Sequence, residues 1–499
     1  MKTGVLLINP HLTEKSIVFN VPVSLVYLGS WLSHKGYEVH ILDAVNMNDK
    51  ANLFQNVESG LEGALCVGLS VMSAQIPGAL EISKFIRQCN PNIPIIWGGV
   101  HPTLYPEQTA RSEFVDFVVR GEGEITLCEL LEKIKRDDPQ PDSIPGIAFK
   151  TDNNKVILTA EREFLDINES PPVDWNLVKS LKPDSTLQEI AQATKYGLPL
   201  LSSRGCPHRC TFCFSSIAKV KYRCRLTDLV LQDIEKVISL GVNRMWFVDE
   251  NVLANRKGVK KLLDNIEDRK LNFKWFTSAR ADYFRYQYLS PENLLQLKEC
   301  GCEIVAIGAE SGSQRILDML KKNITIEDTL NAAKRLNEAG IQGKFSFMIG
   351  LPGETDTDYK QTLQLIDKIM KINDSFEILG PQIYRPYPGS ELYFECLRQG
   401  LKEPTSVNEW SNSPYIQLEY SRRSYYNKAL YPWVEYSGDL TNLVFYAGLL
   451  GINLRWKPIT KLVRLIASIR CRKFYFKYPL GKKIFGLIRS RLLDKLLRL

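Results

Sequence analysis

Along the first 135 residues, short apolar runs rich in β-branched side chains alternate with stretches whose apolar positions return every three or four residues. The strand candidates are GVLLIN from Gly4, YEVHIL from Tyr37, ALCVGLS from Ala64, IPIIW from Ile93 and VDFVV from Val115. Helix-like stretches such as 23–34, 79–88 and 125–135 lie between them. This rhythm predicts βαβ units and a parallel, doubly wound α/β sheet. Small or polar residues follow the strand ends: Asn9-Pro10, Asp43, Ser70 to Ser73, Gly98-Gly99 and Gly121-Glu122-Gly123. Ligands of such sheets sit outside the carboxyl ends of the strands, so the region reads as a binding domain. GEGEIT at Gly121 lacks the third glycine of a dinucleotide fingerprint and follows the last strand, not the first. Ordinary βα turns account for those glycines equally well.

The texture changes over 137–195, where DDPQPDSIP and ESPPVDW are turn-forming and one strand-like piece, GIAFK, stands between them. We read a connector between two domains. From 196 to about 400 the alternation resumes. LPLLSSRG, VNRMWFVDEN, FKWFTSARAD, CEIVAIGAESG, GKFSFMIGLPGET and FEILGPQIYRPYPGS are six strand candidates. Each except the last is followed by a helix pattern, as at 326–339 and 356–371. Six such units predict a partial or complete (β/α) barrel, whose chemistry belongs at the carboxyl ends of its strands. The polar clusters VDEN, SARAD, GAESG and GLPGE all fall there. Residues 401–499 form a C-terminal region with basic amphipathic stretches.

Length and composition add two bounds. A chain of 499 residues exceeds one ordinary core, and 44% hydrophobic with 24% charged residues is ordinary for a globular protein. The longest apolar run, at 443–454, is shorter than the roughly 20 residues a bilayer span needs. Eleven scattered cysteines, with no export signal at the N-terminus, predict a reducing cytoplasm and no disulfide framework.

Three of those cysteines are not scattered. RGCPHRCTFCF from Arg204 places Cys206, Cys210 and Cys213 within eight residues. A structural zinc site would need a fourth ligand, which Cys224 could supply. Cys210 and Cys213 also form a C-x-x-C redox pair. An iron–sulfur cluster bound through thiolates is the third reading. Only one knuckle is present, and it directly follows the first barrel strand, where catalytic groups belong. An open metal position marks a catalytic site and a closed shell a structural one.

CPHRCTFC resembles the C-x3-C-x2-C signature of radical S-adenosylmethionine (SAM) enzymes, with Phe212 before the last cysteine. GAESG at 308–312 resembles the family's ribose- and carboxylate-contacting segment, and FMIGLPGE at 347–354 its adenine-side segment. The resemblance implies a 4Fe–4S cluster on Cys206, Cys210 and Cys213 whose open iron chelates SAM. It further implies reductive cleavage of SAM to a radical that abstracts hydrogen from an unactivated carbon, with the electron supplied by a flavodoxin or ferredoxin. Phe212, Arg280, Glu310, Ser311, Gly312, Gly350 and Glu354 are then the SAM-contacting candidates. For Arg280 a structural ion pair is the competing reading. Asp249 and Glu250 either face the substrate or are ordinary strand-end carboxylates.

The first domain, over 1–136, resembles the cobalamin-binding domain fused to many radical SAM enzymes. VPVSLVYLGSWLSHKGYEVHILDA, GLSVMSAQIPGALEISKFIRQ, IPIIWGGVHPTLYPE and VVRGEGE carry the likeness. It implies cobalamin contacts from Asn9, Asp43, Ser70, Val71, Gly98, Gly99, His101, Glu122 and Gly123. The Asp-x-His-x-x-Gly signature of a cobalt-ligating histidine is absent, since Ala44 and Val45 follow Asp43. The expected reaction is cobalamin-dependent C-methylation of a small or lipid-like substrate. Ring closure or C–C bond formation is the alternative, and a zinc-stabilised binding module the non-enzymatic one.

The net charge of +8 is concentrated in the tail. Residues 455–499 hold fourteen Lys or Arg and one acidic residue, Asp494, a balance of +13 that leaves −5 for the rest. Leu462, Leu465, Ile466 and Ile469 recur at helical spacing beside Lys461, Arg464 and Arg472. Phe485, Ile488, Leu492, Leu496 and Leu499 repeat the pattern beside Lys482, Lys483, Arg489 and Arg491. A basic amphipathic helix reads as peripheral binding to an anionic membrane surface. A helix packed on the barrel is the other reading. Nucleic acid is a third, but no interleaved aromatic platform supports it.

Overall fold

The computed structural model describes residues 3–12, 19–47, 49–136, 141–214, 220–413, 432–434, 436, 440–452 and 457–476. The chain divides into two compact units. The first runs to Leu200 and also takes in Arg223–Trp246 and a stretch from Glu403; the second holds Leu201–Tyr222, Phe247–Lys402 and the remainder.

The first unit is built on seven strands: β1 (Gly4–Asn9), β2 (Glu38–Asp43), β3 (Ala64–Ser70), β4 (Ile95–Gly98), β5 (Phe117–Val119), β6 (Ile147–Lys150) and β7 (Val156–Leu158). Their order is β2-β1-β3-β4-β5-β6-β7. β1 to β5 pair in parallel, with Ile8 of β1 opposite Leu42 of β2 and Leu69 of β3. Val5, Leu6, Leu7 and Ile8 are all buried, as a central strand covered on both faces requires. β4 starts at Ile95 because Pro94 has no N–H for the ladder; its carbonyl accepts from Val67 instead. Helices Val23–His34, Lys50–Leu61 and Ile76–Cys89, with the short helices Val100–Leu104 and Pro106–Ala110, connect the parallel strands, and Gly123–Lys135 follows β5. Trp97 is fully buried and donates its indole N–H to Ser83 Oγ at 3.0 Å.

Two expectations change here. The region 137–195 is not only a connector: β6 and β7 form an antiparallel hairpin that extends the first sheet. The boundaries at 196 and 401 are also crossed, since Arg223–Trp246 and the stretch from Glu403 belong with the first unit.

The second sheet uses all six predicted strands: β8 (Leu198–Leu200), β9 (Arg244–Phe247), β10 (Lys274–Ala279), β11 (Cys302–Glu310), β12 (Gln342–Ile349) and β13 (Glu377–Ile383). They lie in simple sequence order from β13 to β8. β10 through β13 pair in parallel, which places their carboxyl ends at one rim. Helices Ile326–Glu338 and Asp356–Ile372 fall within a residue of expectation. The first is fixed by a capping box, in which Thr325 Oγ1 accepts from the Asp328 N–H and the Asp328 carboxylate accepts from the Thr325 N–H.

Among the described residues no helix is long and apolar enough to cross a membrane. The helix Lys457–Lys473 packs, but with the face opposite to its apolar stripe. Thr460, Ala467, Ser468 and Cys471 are buried, while Ile459, Leu462, Leu465, Ile466 and Ile469 are exposed. Arg464 turns inward to donate to the carbonyls of Ile452 and Asp374, and Arg472 pairs with Asp367. The second stripe, Phe485 to Leu499, lies outside the described residues.

Candidate active site and cofactor loops

The cysteine loop belongs to the second unit and follows β8 in the chain. Cys210 is buried, and Cys206 and Cys213 are half-buried. A turn closed by the Cys213 N–H on the Cys210 carbonyl at 3.1 Å orders the last two. None of the eleven cysteines is in a disulfide. Nitrogen donors approach two of the thiols: Arg280 Nη1 is 3.9 Å from Cys210 Sγ, and Asn251 Nδ2 is 3.8 Å from Cys206 Sγ. Burial pushes the Cys210 thiol up, against the opposing pull of Lys322 and Arg280. Among the described residues no group of three or more His, Cys, Asp or Glu is drawn together around a single ion. An iron–sulfur cluster asks for a different arrangement, because each thiolate takes a separate iron. Thiols on one loop, met by cationic and amide donors, fit an anionic cluster.

Above that loop lies a buried pair that the sequence did not announce. Lys322 Nζ sits 2.9 Å from Glu310 Oε1, with both side chains under a tenth exposed. Glu310 ends β11 with φ at +60°, a left-handed conformation that a non-glycine residue holds only where surroundings enforce it. Gly308 makes room for the pair, since a Cβ there would fall 2.3 Å from Glu310 Oε1 and 2.7 Å from Lys322 Nζ. The Phe212 ring lies 5.8 Å from the same ammonium. The residues that the resemblance assigns to SAM, Phe212 and Glu310, thus share one cation.

The other SAM candidates are held differently. Arg280 is buried, with Nε on Asp282 Oδ1 at 3.0 Å and Nη2 on the Lys322 carbonyl. Its fork is therefore engaged within the protein, and the ion-pair reading describes this structure better than the carboxylate clamp. Ser311 is buried against Thr362 Oγ1, and its Oγ accepts from the Ser313 N–H. Gly312 donates its N–H to Thr362 Oγ1; a Cβ there would meet the Gln361 carbonyl at 2.3 Å, so close packing of the helix Asp356–Ile372 demands glycine. Glu354 is fully buried and accepts from the Gly350 and Leu351 N–H groups, bracing its own turn. Burial pushes that carboxyl up to about 8. Gly350, with φ at +76°, also receives the Trp433 indole N–H on its carbonyl.

Asp249 is corrected as a substrate-facing residue. It is buried and accepts from the Ser202 N–H, Ser202 Oγ and Ser203 Oγ, which ties β9 to the strand end before the cysteines. Burial raises it to about 6. Glu250 is exposed. The residue of that VDEN stretch that reaches the cysteines is the next one, Asn251. Its amide also donates to Tyr283 Oη at 2.9 Å, which in turn contacts His208 Nε2 at 2.7 Å. Position within a strand-end cluster was the only sequence signal for Asn251. Lys322 had none, because the turn after helix Gln314–Met319 brings it back.

In the first unit, the expected cobalamin residues fall at the carboxyl ends of β1 to β5. Asn9 Nδ2 donates to Asp43 Oδ1 at 2.8 Å, and Asn9 Oδ1 accepts from Gln75 Nε2 at 2.7 Å. Burial holds Asp43 above the usual carboxylate range. Ser70 ends β3, and the buried Val71 brackets the next turn by donating to Gly98 O and accepting from the His101 N–H. Gly99 has φ at +97°, and a Cβ there would lie 2.8 Å from Val71 N, so only glycine allows this crossing. Gly123 begins the helix Gly123–Lys135.

Two members of that set are occupied elsewhere. His101 is fully buried, with Nδ1 3.1 Å from Ser73 Oγ and its ring against Tyr105 and Trp410. Burial lowers it to about 3. Glu122 forms a two-point ion pair with Arg223, at 2.6 and 2.9 Å, and accepts the Leu165 N–H. Both residues shape the loops from beneath.

Comparison with known proteins agrees with this layout. Residues 200–366 match the radical SAM superfamily, and residues 18–131 match the B12 binding domain. An uncharacterized methyltransferase of Pyrococcus horikoshii is 27% identical over 418 residues, which cover 82% of this chain and 86% of that protein. The anaerobic magnesium-protoporphyrin IX monomethyl ester cyclase of Rubrivivax gelatinosus is 28% identical over 401 residues, covering 78% and 69%. Among solved structures, the radical SAM methyltransferase TsrM of Kitasatospora setae, with cobalamin and a [4Fe-4S] cluster bound, superposes with a TM-score of 0.64 at 21% identity, covering 82% and 81%. The chain therefore joins a radical SAM domain, over residues 200–366, to an N-terminal B12-binding domain, over residues 18–131, as cobalamin-dependent radical SAM enzymes do.

Proposed function

We propose that this enzyme methylates an unactivated carbon of a small or lipid-like molecule in a cobalamin-dependent reaction. The observation that carries the reading is the cysteine loop, met by the N–H donors of Arg280 and Asn251 and lying beside the buried Glu310–Lys322 pair. When bound, the cluster and SAM supply the radical chemistry, and cobalamin supplies methyl transfer. The chain's own part is to hold and orient. Cys206, Cys210 and Cys213 would hold the cluster. Glu310, paired with Lys322, would offer its carboxylate to SAM, and Phe212 lies beside the same ammonium. Gly98, Gly99 and the Asn9–Asp43 pair would offer backbone and amide contacts to cobalamin. No histidine follows Asp43 in the ligating pattern, so that segment would offer cobalamin no histidine ligand.

The Pyrococcus relative and TsrM are named methyltransferases, whereas the Rubrivivax relative is named a cyclase, so ring closure is the second reading. Reconstituted enzyme, a flavodoxin- or ferredoxin-class reductant, hydroxocobalamin and methyl-labelled SAM separate them. Transfer of label to bound cobalamin supports methylation. A cluster-loaded protein that cleaves SAM but binds no cobalamin overturns it.

The substrate class rests on the tail helix. Its outward stripe, Ile459, Leu462, Leu465, Ile466 and Ile469, is flanked by the exposed Lys461 and Lys473. An anionic lipid surface complements both the stripe and the charge, with each basic residue contributing about 1 kcal/mol. Residues 477–499 carry seven Lys or Arg against one Asp, so covering the stripe with that segment would set like charges together. Because the inner face is packed, substitution is a cleaner test than truncation. Leu462→Ser with Ile466→Ser should leave thermal stability unchanged and abolish cosedimentation with phosphatidylserine vesicles. Equal sedimentation of both proteins, or none by the wild type, would remove the membrane and with it the lipid-like substrate.

A further inference from the structure

We propose that Asn251 is a positioning residue for the cluster: its amide NH2 donates to Cys206 Sγ and raises the reduction potential, with Tyr283 and His208 holding it in place. The inference rests on the reading that the cysteine loop holds a cluster. It does not require Asn251 to touch SAM or substrate.

Asn251 is 1% exposed, just past β9. Its Nδ2 lies 2.9 Å from Tyr283 Oη and 3.8 Å from Cys206 Sγ. A carboxamide nitrogen carries two hydrogens, and each has one acceptor here. Tyr283 Oη accepts from Asn251, so its own hydrogen points to His208 Nε2 at 2.7 Å, and the imidazole proton belongs on Nδ1. Donation therefore runs outward in both directions from one amide group, and one arm ends on sulfur. The opposite amide orientation fails. It would aim a carbonyl oxygen at a sulfur that has no proton to give once it ligates iron.

The other end of the side chain points to the same role. Asn251 Oδ1 is buried and has no hydrogen-bond partner among the described residues. A buried, unsatisfied carbonyl is costly to keep. The residue is thus held for its donors and not for its acceptor, and leucine would fill the same space without that cost. Hydrogen bonds to ligand sulfurs favour the more negative, reduced cluster and so raise its potential. Burial of the donor strengthens the effect, since Asn251 itself is 1% exposed and water does not compete for its amide. Arg280 at Cys210 acts with full charge, but its other nitrogens are tied to Asp282 and the Lys322 carbonyl, so its removal would disturb more than the sulfur. Asn251 is the cleaner probe.

The test is an EPR-monitored redox titration of the anaerobically reconstituted full-length protein, with iron content measured in parallel. Asn251→Leu should keep its iron and lose about tenfold in the reduction equilibrium, which is 59 mV more negative for a one-electron couple. Tyr283→Phe should shift the potential the same way by less, because it leaves the donor and removes its anchor. A wild-type potential in both variants overturns the proposal. So does iron loss with an unshifted potential in the clusters that remain, which is the signature of a structural role. Should Asn251→Leu hold no iron at all, Tyr283→Phe alone decides. If the wild type takes up no cluster, the functional reading falls as well, and that outcome is distinct from a cluster that forms with an indifferent Asn251.

Discussion

The two sheets end in loops of opposite character. At the carboxyl ends of β1 to β5 the polar side chains mostly satisfy one another: Asn9 with Asp43 and Gln75, His101 with Ser73, Glu122 with Arg223. What remains for a ligand is backbone and shape, as at Gly98 and Gly99. At the ends of β8 to β12 the donors instead face the cysteine loop, with Asn251 at Cys206 and Arg280 at Cys210, and a buried ion pair stands beside them. The first arrangement suits a large, mostly neutral ligand gripped over a broad surface. The second suits a compact anionic group whose charge must be met locally. Variants in the two regions should therefore fail in different ways.

The largest difference is expected from the cysteines. Cys213→Ala should reduce SAM cleavage to background, because it removes one of the three thiolates that would hold the cluster. Hydroxocobalamin binding should survive it. Retained cleavage, or loss of both cofactors together, would break the contrast.

The Glu310–Lys322 pair sharpens it at intermediate scale. Lys322→Met leaves a buried carboxylate uncompensated, which costs about 3–5 kcal/mol. Adding Glu310→Gln should recover most of that stability without restoring turnover. If the double variant melts as low as the single one, the pair is not the source of the loss.

Much of this was legible in advance, and the exceptions share a cause. The strands of both sheets were readable because each is a continuous apolar run bounded by turn residues, and the cysteine loop because its spacing is local. Lys322 and Asn251 were not, since folding brings them to Glu310 and Cys206 across 12 and 45 residues. In the hairpin β6–β7 only β6 was read as strand-like, because the three residues Val156–Leu158 are too short a run to stand out. The tail was read as amphipathic from its periodicity, which alone could not say which face of Lys457–Lys473 packs. Asp367 and the carbonyls of Ile452 and Asp374 decide that by drawing Arg464, Ser468 and Arg472 inward. Asp249 shows the converse: a strand-end carboxylate whose polar neighbours, Ser202 and Ser203, turn it into a brace.

The smallest effect is a difference in pH response between the units. His101 in the first is buried and lowered to about 3 by that burial, well under its ordinary 6.5. Its depressed value means the stability it contributes is present above about 6.5 and is lost as pH falls toward 3, with about 2 kcal/mol gone between pH 7 and pH 5. Asp249 in the second is raised by burial to about 6. Its contribution has the opposite sign: present below about 4, lost as pH rises through 6, so acidification from pH 7 to pH 5 returns about 1 kcal/mol. Thermal melts of wild type, His101→Gln and Asp249→Asn at pH 5 and pH 7 resolve the two. Relative to wild type, His101→Gln should gain stability on acidification, and Asp249→Asn should lose it. Parallel shifts in both variants would mean that burial does not set these two groups apart, and the electrostatic side of the comparison would fail.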